Sequence, residues 1–312
     1  MTDHHDHDHA HEHAGHRHHA HAPASFGRAF AIGVALNAGF VVLEVVFGLI
    51  GHSVALLADA GHNLSDVLGL VVAWIASILV TRAPSARFTY GFGASSILAA
   101  LFNAVFLLVV IGGLSWEAIG RLHHPEPVAG GTVMIVAAAG IVLNGFCAWL
   151  FASGREGDIN IRGAFAHMAA DALVSLGVVV AGLVILLTGW LWLDPIASLA
   201  INLTIVAGTW SLLRDATAMS LNAVPPGVDA AGVGAFLSAR PGVQAIHDLH
   251  IWGISTTQTA LTAHLVMPAG HPGDAFLVEL CETLRERFRI GHATLQIERS
   301  GDHCTLAPDH VV

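Results

Sequence analysis

The sequence predicts a membrane protein of two parts: an all-α domain of six spanning helices, then a small cytoplasmic α+β unit in the order α-β-β-α-β. Three observations carry this expectation. Of 312 residues, 54% are hydrophobic and only 12% charged, with mean hydropathy +0.66, whereas a soluble domain carries roughly 25% charged residues. Six apolar stretches are each long enough to cross a hydrocarbon core of about 30 Å at roughly 1.5 Å per residue. Beyond Pro225-Pro226 the apolar character gives way to a polar, periodic pattern.

The chain opens with a tail, residues 1–25, dense in His and Asp between His4 and His21. Such a segment has nothing to bury and is expected to be disordered, its imidazoles and carboxylates suited to weak metal capture. It lacks the basic and apolar runs of a secretory signal, so no signal peptide is expected. The membrane domain, residues 26–215, is expected to place helices at 27–50, 53–80, 94–121, 128–152, 163–189 and 195–214. The breaks carry turn or charge signals, among them Gly51-His52-Ser53, Arg82-Ala83-Pro84, His123-His124-Pro125 and Leu193-Asp194-Pro195.

All 13 basic residues are Arg. Arg28, Arg82, Arg87, Arg155, Arg162 and Arg214 fall on one side of the expected helices and only Arg121 on the other. By the positive-inside rule both termini are expected in the cytoplasm. The cytoplasmic unit, residues 216–312, reads as helix 229–240, strands 243–254 and 258–267, helix 272–289 and strand 292–299. Cys147, Cys281 and Cys304 are odd in number and widely spaced, so no disulfide framework is implied. No nucleic-acid partner is expected.

Two of the expected spans carry ionisable residues at depths where lipid penalises them. The second holds Asp59, His62 and Asp66, and the fifth holds His167 and Asp171. An ionisable group at membrane depth costs a few kcal/mol even on the lenient insertion scale (about 2.5–3.5), which marks it as a functional candidate. Residues four apart share a helix face, so His62 with Asp66, and His167 with Asp171, each form a two-ligand claw. Two facing claws supply two imidazoles and two carboxylates, a tetrahedral set for Zn2+ whose charges offset those of the ion. A single His-x-x-x-Asp could be a satisfied interhelical hydrogen bond; the same pattern on two spans is harder to explain that way. Asp59 lies one turn from His62 and suits either a partner orienting its imidazole or a group near the outer mouth, the former being preferred. Asn37, Glu44 and Asn144 read as polar ties between helices, with Glu44 also placed to line the path. Two carboxylates that lose their cation must take up protons, so the expected cycle exchanges a divalent metal for H+.

These motifs resemble the cation diffusion facilitator family, in its zinc-transporting branch of bacterial zinc/cobalt/cadmium-resistance-type exporters. The resemblance covers nearly everything after residue 26. It rests on Ser53-Val54-Ala55-Leu56-Leu57-Ala58-Asp59-Ala60-Gly61-His62 through Asp66, on His167-x-x-x-Asp171, on Asp194-Pro195, and on His247-Asp248-Leu249-His250-Ile251-Trp252. It implies a ferredoxin-like cytoplasmic domain, a homodimer in the lipid bilayer of the cell (inner) membrane, and zinc/proton exchange through His62, Asp66, His167 and Asp171. A His at the first of these positions is similar to the zinc-preferring members. The loop Tyr90-Gly91-Phe92-Gly93-Ala94-Ser95-Ser96 departs from the branch's usual Tyr-Gly-Trp-His-Arg-Ala-Glu, so a metal or charge role there is not expected.

The resemblance also puts His247, His264, His292 and Glu298 on positions that bind zinc in some members. The residues themselves allow His247 and His264 to meet across neighbouring strands with Glu298 beside them, and Cys304 or His303 follows closely enough to join. Such a site would make Zn2+ a regulatory ligand as well as cargo. An enzyme is not expected: the His-Glu-x-x-His of a membrane metalloprotease is missing, and so is the Gly-x-x-x-x-Gly-Lys-Ser/Thr of a nucleotide-driven pump. The expectation is a secondary exporter of Zn2+. The alternatives are a Co2+, Ni2+ or broader divalent-cation exporter, since these ions accept the same ligands, or a membrane metal sensor.

Overall fold

The computed structural model describes residues 28–80, 82–152, 159–301, 304 and 306, so the His-rich tail and His303 lie outside the described residues. Six long helices come first: α1 (Arg28–Ile50), α2 (Val54–Val80), α3 (Ser95–His123), α4 (Gly130–Ala152), α5 (Ile159–Thr188) and α6 (Leu193–Ser220). They are followed by α7 (Ala230–Ser238), β1 (Ala245–Gly253), β2 (Thr259–Val266), α8 (Asp274–Phe288) and β3 (His292–Glu298). This is the order expected from the sequence. Helix α6 runs six residues past its expected end at 214, because Arg214 and Asp215 mark only a change of surroundings. The backbone stops being helical at Asn222, in the left-handed region (φ 60°), shortly before Pro225-Pro226.

The first part is a membrane helical domain. Among the described residues, four stretches are long and apolar enough to span a bilayer: all of α3 and α6, Gly130–Trp149 of α4 and Met168–Thr188 of α5. A shorter apolar stretch, Val34–Ile50, lies in α1. Large apolar side chains such as Phe102, Val109, Ile135 and Leu187 point outward and are more than two-thirds exposed, the reverse of a soluble bundle and the arrangement lipid requires. The interior is close-packed around Leu107, Ile111, Val133, Val178, Ile201 and Ile205.

Small residues bring α4 against α5. A Cβ on Gly130 would lie 3.0 Å from Gly182 O, and one on Gly140 would lie 2.8 Å from Phe40 Cζ and 3.0 Å from Ser175 Oγ. The start of α6 is tied to the start of α2. Ser53 Oγ donates to Asp194 Oδ1, and Val54 N donates to Asp194 Oδ2 at 2.8 Å. Ser53 Oγ also accepts from Leu56 N at 3.1 Å. A carboxylate and a hydroxyl therefore satisfy the first amides of α2 and offset the positive end of its dipole. This explains why an acidic residue, Asp194, is 1% exposed within an apolar domain.

The second part is a small mixed sheet covered by two helices. Strands pair in the order β1-β2-β3, β1 with β2 antiparallel and β2 with β3 parallel, and α8 makes the crossover between the parallel pair. Leu237, Leu261, Leu265 and Leu284 are fully buried at its centre. Helix α7 is capped by Asp229, whose Oδ1 accepts from Gly232 N at 2.9 Å.

The loop that departs from the family pattern seats the β1–β2 turn against the membrane domain. A Cβ on Gly93 would fall 2.8 Å from Ile254 O, and Ser96 Oγ accepts from Thr256 N at 3.0 Å. Small side chains at 93–96 thus permit a backbone approach that the bulkier pattern would obstruct.

Candidate metal centres

Two groups of metal-ligating side chains converge, one in each part of the molecule. In the membrane domain His62 and Asp66 come from α2 and Asp171 from α5, with one ligand atom from each lying within 4.8 Å of the others. His62 Nε2 is 3.1 Å from Asp171 Oδ1. The helical period puts His62 and Asp66 on one face of α2, and the close packing of α4 on α5 holds Asp171 toward it, 2% exposed. His167 occupies α5 one turn before Asp171, but its side chain lies outside the described residues. Three of the four expected ligands are therefore together.

A buried polar group surrounds this claw. Ser175 Oγ donates to Asp59 Oδ2 at 3.2 Å, and Asn63 Nδ2 donates to Glu44 Oε2 at 2.9 Å. Glu44, expected as a tie between helices, does tie α1 to α2. Asn144, expected in the same role, is 1% exposed, and neither atom of its carboxamide has a hydrogen-bond partner among the described residues. Gly140 packs on Ser175, which brings the next turn of α4, bearing Asn144, to the level of Asp171.

In the cytoplasmic part His247, His264, Glu298 and Cys304 bring one ligand atom each within 4.8 Å of one another. His247 and His264 face each other across β1 and β2, their rings 5.1 Å apart, and Glu298 ends β3 beside Val266. His247 Nε2 lies 3.2 Å from Glu298 Oε2, and His264 Nδ1 lies 3.1 Å from Glu298 Oε1. Cys304 Sγ is 3.5 Å from His264 Nδ1. His247 Nε2 and Glu298 Oε2 are both buried and, among the described residues, meet each other as an ion pair and make no hydrogen bond elsewhere. Burial pushes the Glu298 pKa up, but hydrogen bonds from Gln296 and Cys304 and the imidazoles of His247 and His264 outweigh it, leaving the carboxyl below the ordinary glutamate range.

The structure does not bring His292 to this cluster within one chain. It opens β3, six residues before Glu298, where its ring packs edge-on to Tyr90 at 5.5 Å. Asp248 is a participant the sequence reading missed. It sits in a bulge between His247 and His250 with φ 51°, which Asp tolerates better than most residues. From there its carboxylate reaches His264 Nε2 at 3.3 Å and His250 Nε2 at 2.8 Å, orienting the His264 ring so that Nδ1 faces Glu298 and Cys304. The signal was the break in strand alternation at Asp248-Leu249-His250. His250 is drawn into this second layer through Asp248.

Comparison with known proteins agrees with the two-part architecture. Residues 30–219 match the cation efflux transmembrane domain, and residues 225–300 match the cation efflux protein cytoplasmic domain. The zinc transporter ZitB of Escherichia coli is 37% identical over 276 residues, covering 88% of this chain and 87% of that protein. The metal cation efflux system protein CzcD of Cupriavidus metallidurans is 35% identical, with 88% of each chain covered. A cadmium, cobalt and zinc/H(+)-K(+) antiporter of Bacillus velezensis is 32% identical, covering 87% of this chain and 88% of that protein. Among solved structures, the metal-bound C-terminal domain of the CzcD transporter is 42% identical over 23% of this chain and 99% of that one, with a TM-score of 0.22.

Proposed function

The chain belongs to the cation efflux family, and from that premise we propose that it is a secondary active exporter of Zn2+ driven by proton antiport. Family members are transporters, not enzymes, and the cytoplasmic match is to the family's dimerisation domain. The observation that carries the proposal is the meeting of His62, Asp66 and Asp171 across α2 and α5. With His167 one turn from Asp171, the set becomes two imidazoles and two carboxylates, which suits a tetrahedral ion of borderline softness.

In this reading all six long helices cross the inner membrane, both termini face the cytoplasm, and the ferredoxin-like cytoplasmic unit joins two chains into a homodimer. Zinc enters the claw from the cytoplasm, α2 and α5 shift against the remaining helices, and the ion leaves on the far side. Protons then take its place, because Asp66 and Asp171 cannot remain both charged and close without a cation. The cytoplasmic cluster of His247, His264, Glu298 and Cys304 binds regulatory zinc when the cytoplasmic concentration rises, and the His-rich tail captures metal weakly. A broader substrate range is the second reading, favoured by the cadmium and cobalt in the printed description of the Bacillus velezensis relative.

The test is zinc accumulation in inside-out vesicles under an imposed proton gradient, comparing the intact chain with His62→Ala/Asp171→Ala. Gradient-dependent accumulation that disappears in the double variant is expected. Undiminished accumulation in the variant would move the site elsewhere, and none in either chain would favour sensing or another metal.

A further inference from the structure

One buried polar side chain beside the claw takes no part in any contact described so far. Asn144 of α4 is 1% exposed, and neither its amide nitrogen nor its oxygen has a hydrogen-bond partner among the described residues. A carboxamide brings two donor hydrogens and an acceptor oxygen. Burying them unpaired is costly, and nearly all such groups in folded proteins are paired. A tie between helices would show its bond, as Asn63 does in donating to Glu44 at 2.9 Å. Other buried positions of α4, among them Val133, Val136, Ala137 and Ala148, are apolar, so packing alone asks for no amide here.

The contacts of α4 with α5 fix where this amide lies. A Cβ on Gly182 would fall 3.0 Å from Met134 Cγ, and one on Gly140 would fall 3.0 Å from Ser175 Oγ. Residue numbers rise along α4 as they fall along α5, so the two helices are antiparallel. Asn144 is one turn beyond Gly140 on the same face, and Asp171 is one turn before Ser175 on its own. The two therefore lie side by side. The Gly140 face also meets α1, for Phe40 Cζ is 2.8 Å from the same Cβ position. Asn144 thus sits in the buried angle between α1 and α5, next to a carboxylate that is itself 2% exposed.

We propose that Asn144 is a positioning residue of the cargo site: with Zn2+ in the claw, its amide donates to the Asp171 carboxylate. The inference rests on the reading of His62, Asp66, His167 and Asp171 as the cargo site and extends that site to a third helix, α4. Asp171 Oδ1 and His62 Nε2 satisfy each other at 3.1 Å. An ion that enters between them ends this contact and draws a lone pair from each. The carboxylate then keeps lone pairs for a donor at its side, and the α4 amide supplies one. A hydrogen bond to a ligating carboxylate fixes its orientation and is worth about 10–100-fold in metal affinity. Direct ligation by the amide oxygen is the weaker alternative where two imidazoles and two carboxylates complete a tetrahedral set. The amide stays neutral throughout, so the proton exchange remains with the claw.

The experiment uses the full chain in proteoliposomes and follows radioactive zinc exchanging for zinc over a range of concentrations, which separates KM from kcat. Thermal unfolding of the same chains without metal is measured beside it. Asn144→Leu keeps a similar volume and removes every polar atom. Its KM is expected to rise about tenfold or more, with the change falling largely on KM and not on kcat. Its unfolding temperature is expected to equal or exceed that of the intact chain, because an unpaired amide has given way to an apolar group. Asn144→Ser keeps a donor, and its KM is expected to lie between the two. An unchanged KM in Asn144→Leu would overturn the proposal. A lower unfolding temperature with kcat lost alongside affinity would overturn it too, by making Asn144 a structural tie. Asp171→Ala tests the reading beneath: exchange undiminished in that variant would sink the cargo-site assignment itself.

Discussion

The two candidate metal centres are assembled in opposite ways. The membrane claw is built from halves that are each local: His62 and Asp66 are brought together by one helical turn, and packing has only to bring α2 and α5 face to face. The cytoplasmic cluster has no local half. His247 and His264 meet through strand pairing, Glu298 comes in on the parallel strand, and Cys304 arrives from the segment beyond it. In the claw a helix period does the positioning, whereas in the cytoplasm the sheet register, a left-handed bulge at Asp248 and the C-terminal segment all have to be right at once. The first arrangement lets whole helices tilt while each half of the site stays intact. The second makes ligand geometry depend on how the domain and its tail are folded, which suits a site that reports metal more than one that moves it.

The largest effect that would sharpen this contrast comes from Asp66→Ala. Removing one carboxylate from a four-ligand cargo site is expected to abolish zinc export, a loss beyond the roughly 10–100-fold that weaker supporting contacts cost, while the cytoplasmic cluster goes on binding metal. Zinc accumulation in inverted vesicles, read beside metal binding by the same preparation, checks both halves. A variant that still moved zinc against a gradient would break the assignment of Asp66 to the cargo site.

A smaller effect is expected from Cys304→Ser. Thiolate is the soft ligand that distinguishes the cytoplasmic cluster from the claw, which has none. The sulfur-to-metal charge-transfer absorption of the cobalt-loaded full chain is expected to vanish, with affinity at that site falling about tenfold or more and export at saturating zinc retained. If cobalt gave no such band in the intact chain, Cys304 would not be a ligand. Export lost as completely as in Asp66→Ala would erase the distinction between cargo and regulatory sites.

The same contrast decides what could be read before the structure. The claw stood out because Asp59, His62, Asp66 and Asp171 interrupt long apolar runs, and a four-residue spacing has one meaning on a helix. The order of elements was equally plain, since helix length and apolar run coincide. Less was legible where contacts depend on chain segments that the sequence does not mark as neighbours. Glu44 and Asn144 looked alike as polar ties, yet one bonds Asn63 and the other stays buried without a hydrogen-bond partner among the described residues. His292 and Glu298 share a strand, so motif position alone grouped them, although six residues at roughly 3.3 Å each put them at opposite ends of it. Asp248 left only a break in the strand alternation, because its role requires a positive φ and a bulge, which such a break does not by itself specify. The seat at Gly93 was noticed only as a departure from the family loop; its use as a close approach to Ile254 emerges from backbone geometry.

The smallest expected effect concerns acid stability of the metal-free cytoplasmic domain, and it tests whether that cluster is held together by charge even without an ion. Hydrogen bonds and the two imidazoles outweigh burial at Glu298, so its carboxyl ionises more readily in the folded domain than in the unfolded chain, where a glutamate titrates near 4.5. A group with a depressed folded pKa binds fewer protons folded than unfolded. Its contribution is therefore fully present above the unfolded value and is lost as pH falls through the folded one. Hydrogen exchange at the β2 and β3 amides of the metal-free chain should accordingly show the strands opening more readily as pH is lowered below the ordinary glutamate range, after correction for the intrinsic exchange rate. In Glu298→Gln the carboxamide cannot titrate, so that acid-side dependence should flatten while the strands remain paired. An unchanged slope would mean that His247, His264 and Glu298 are positioned by the sheet alone. The ion pairs at 3.1 and 3.2 Å would then follow from the strand register without helping to hold it.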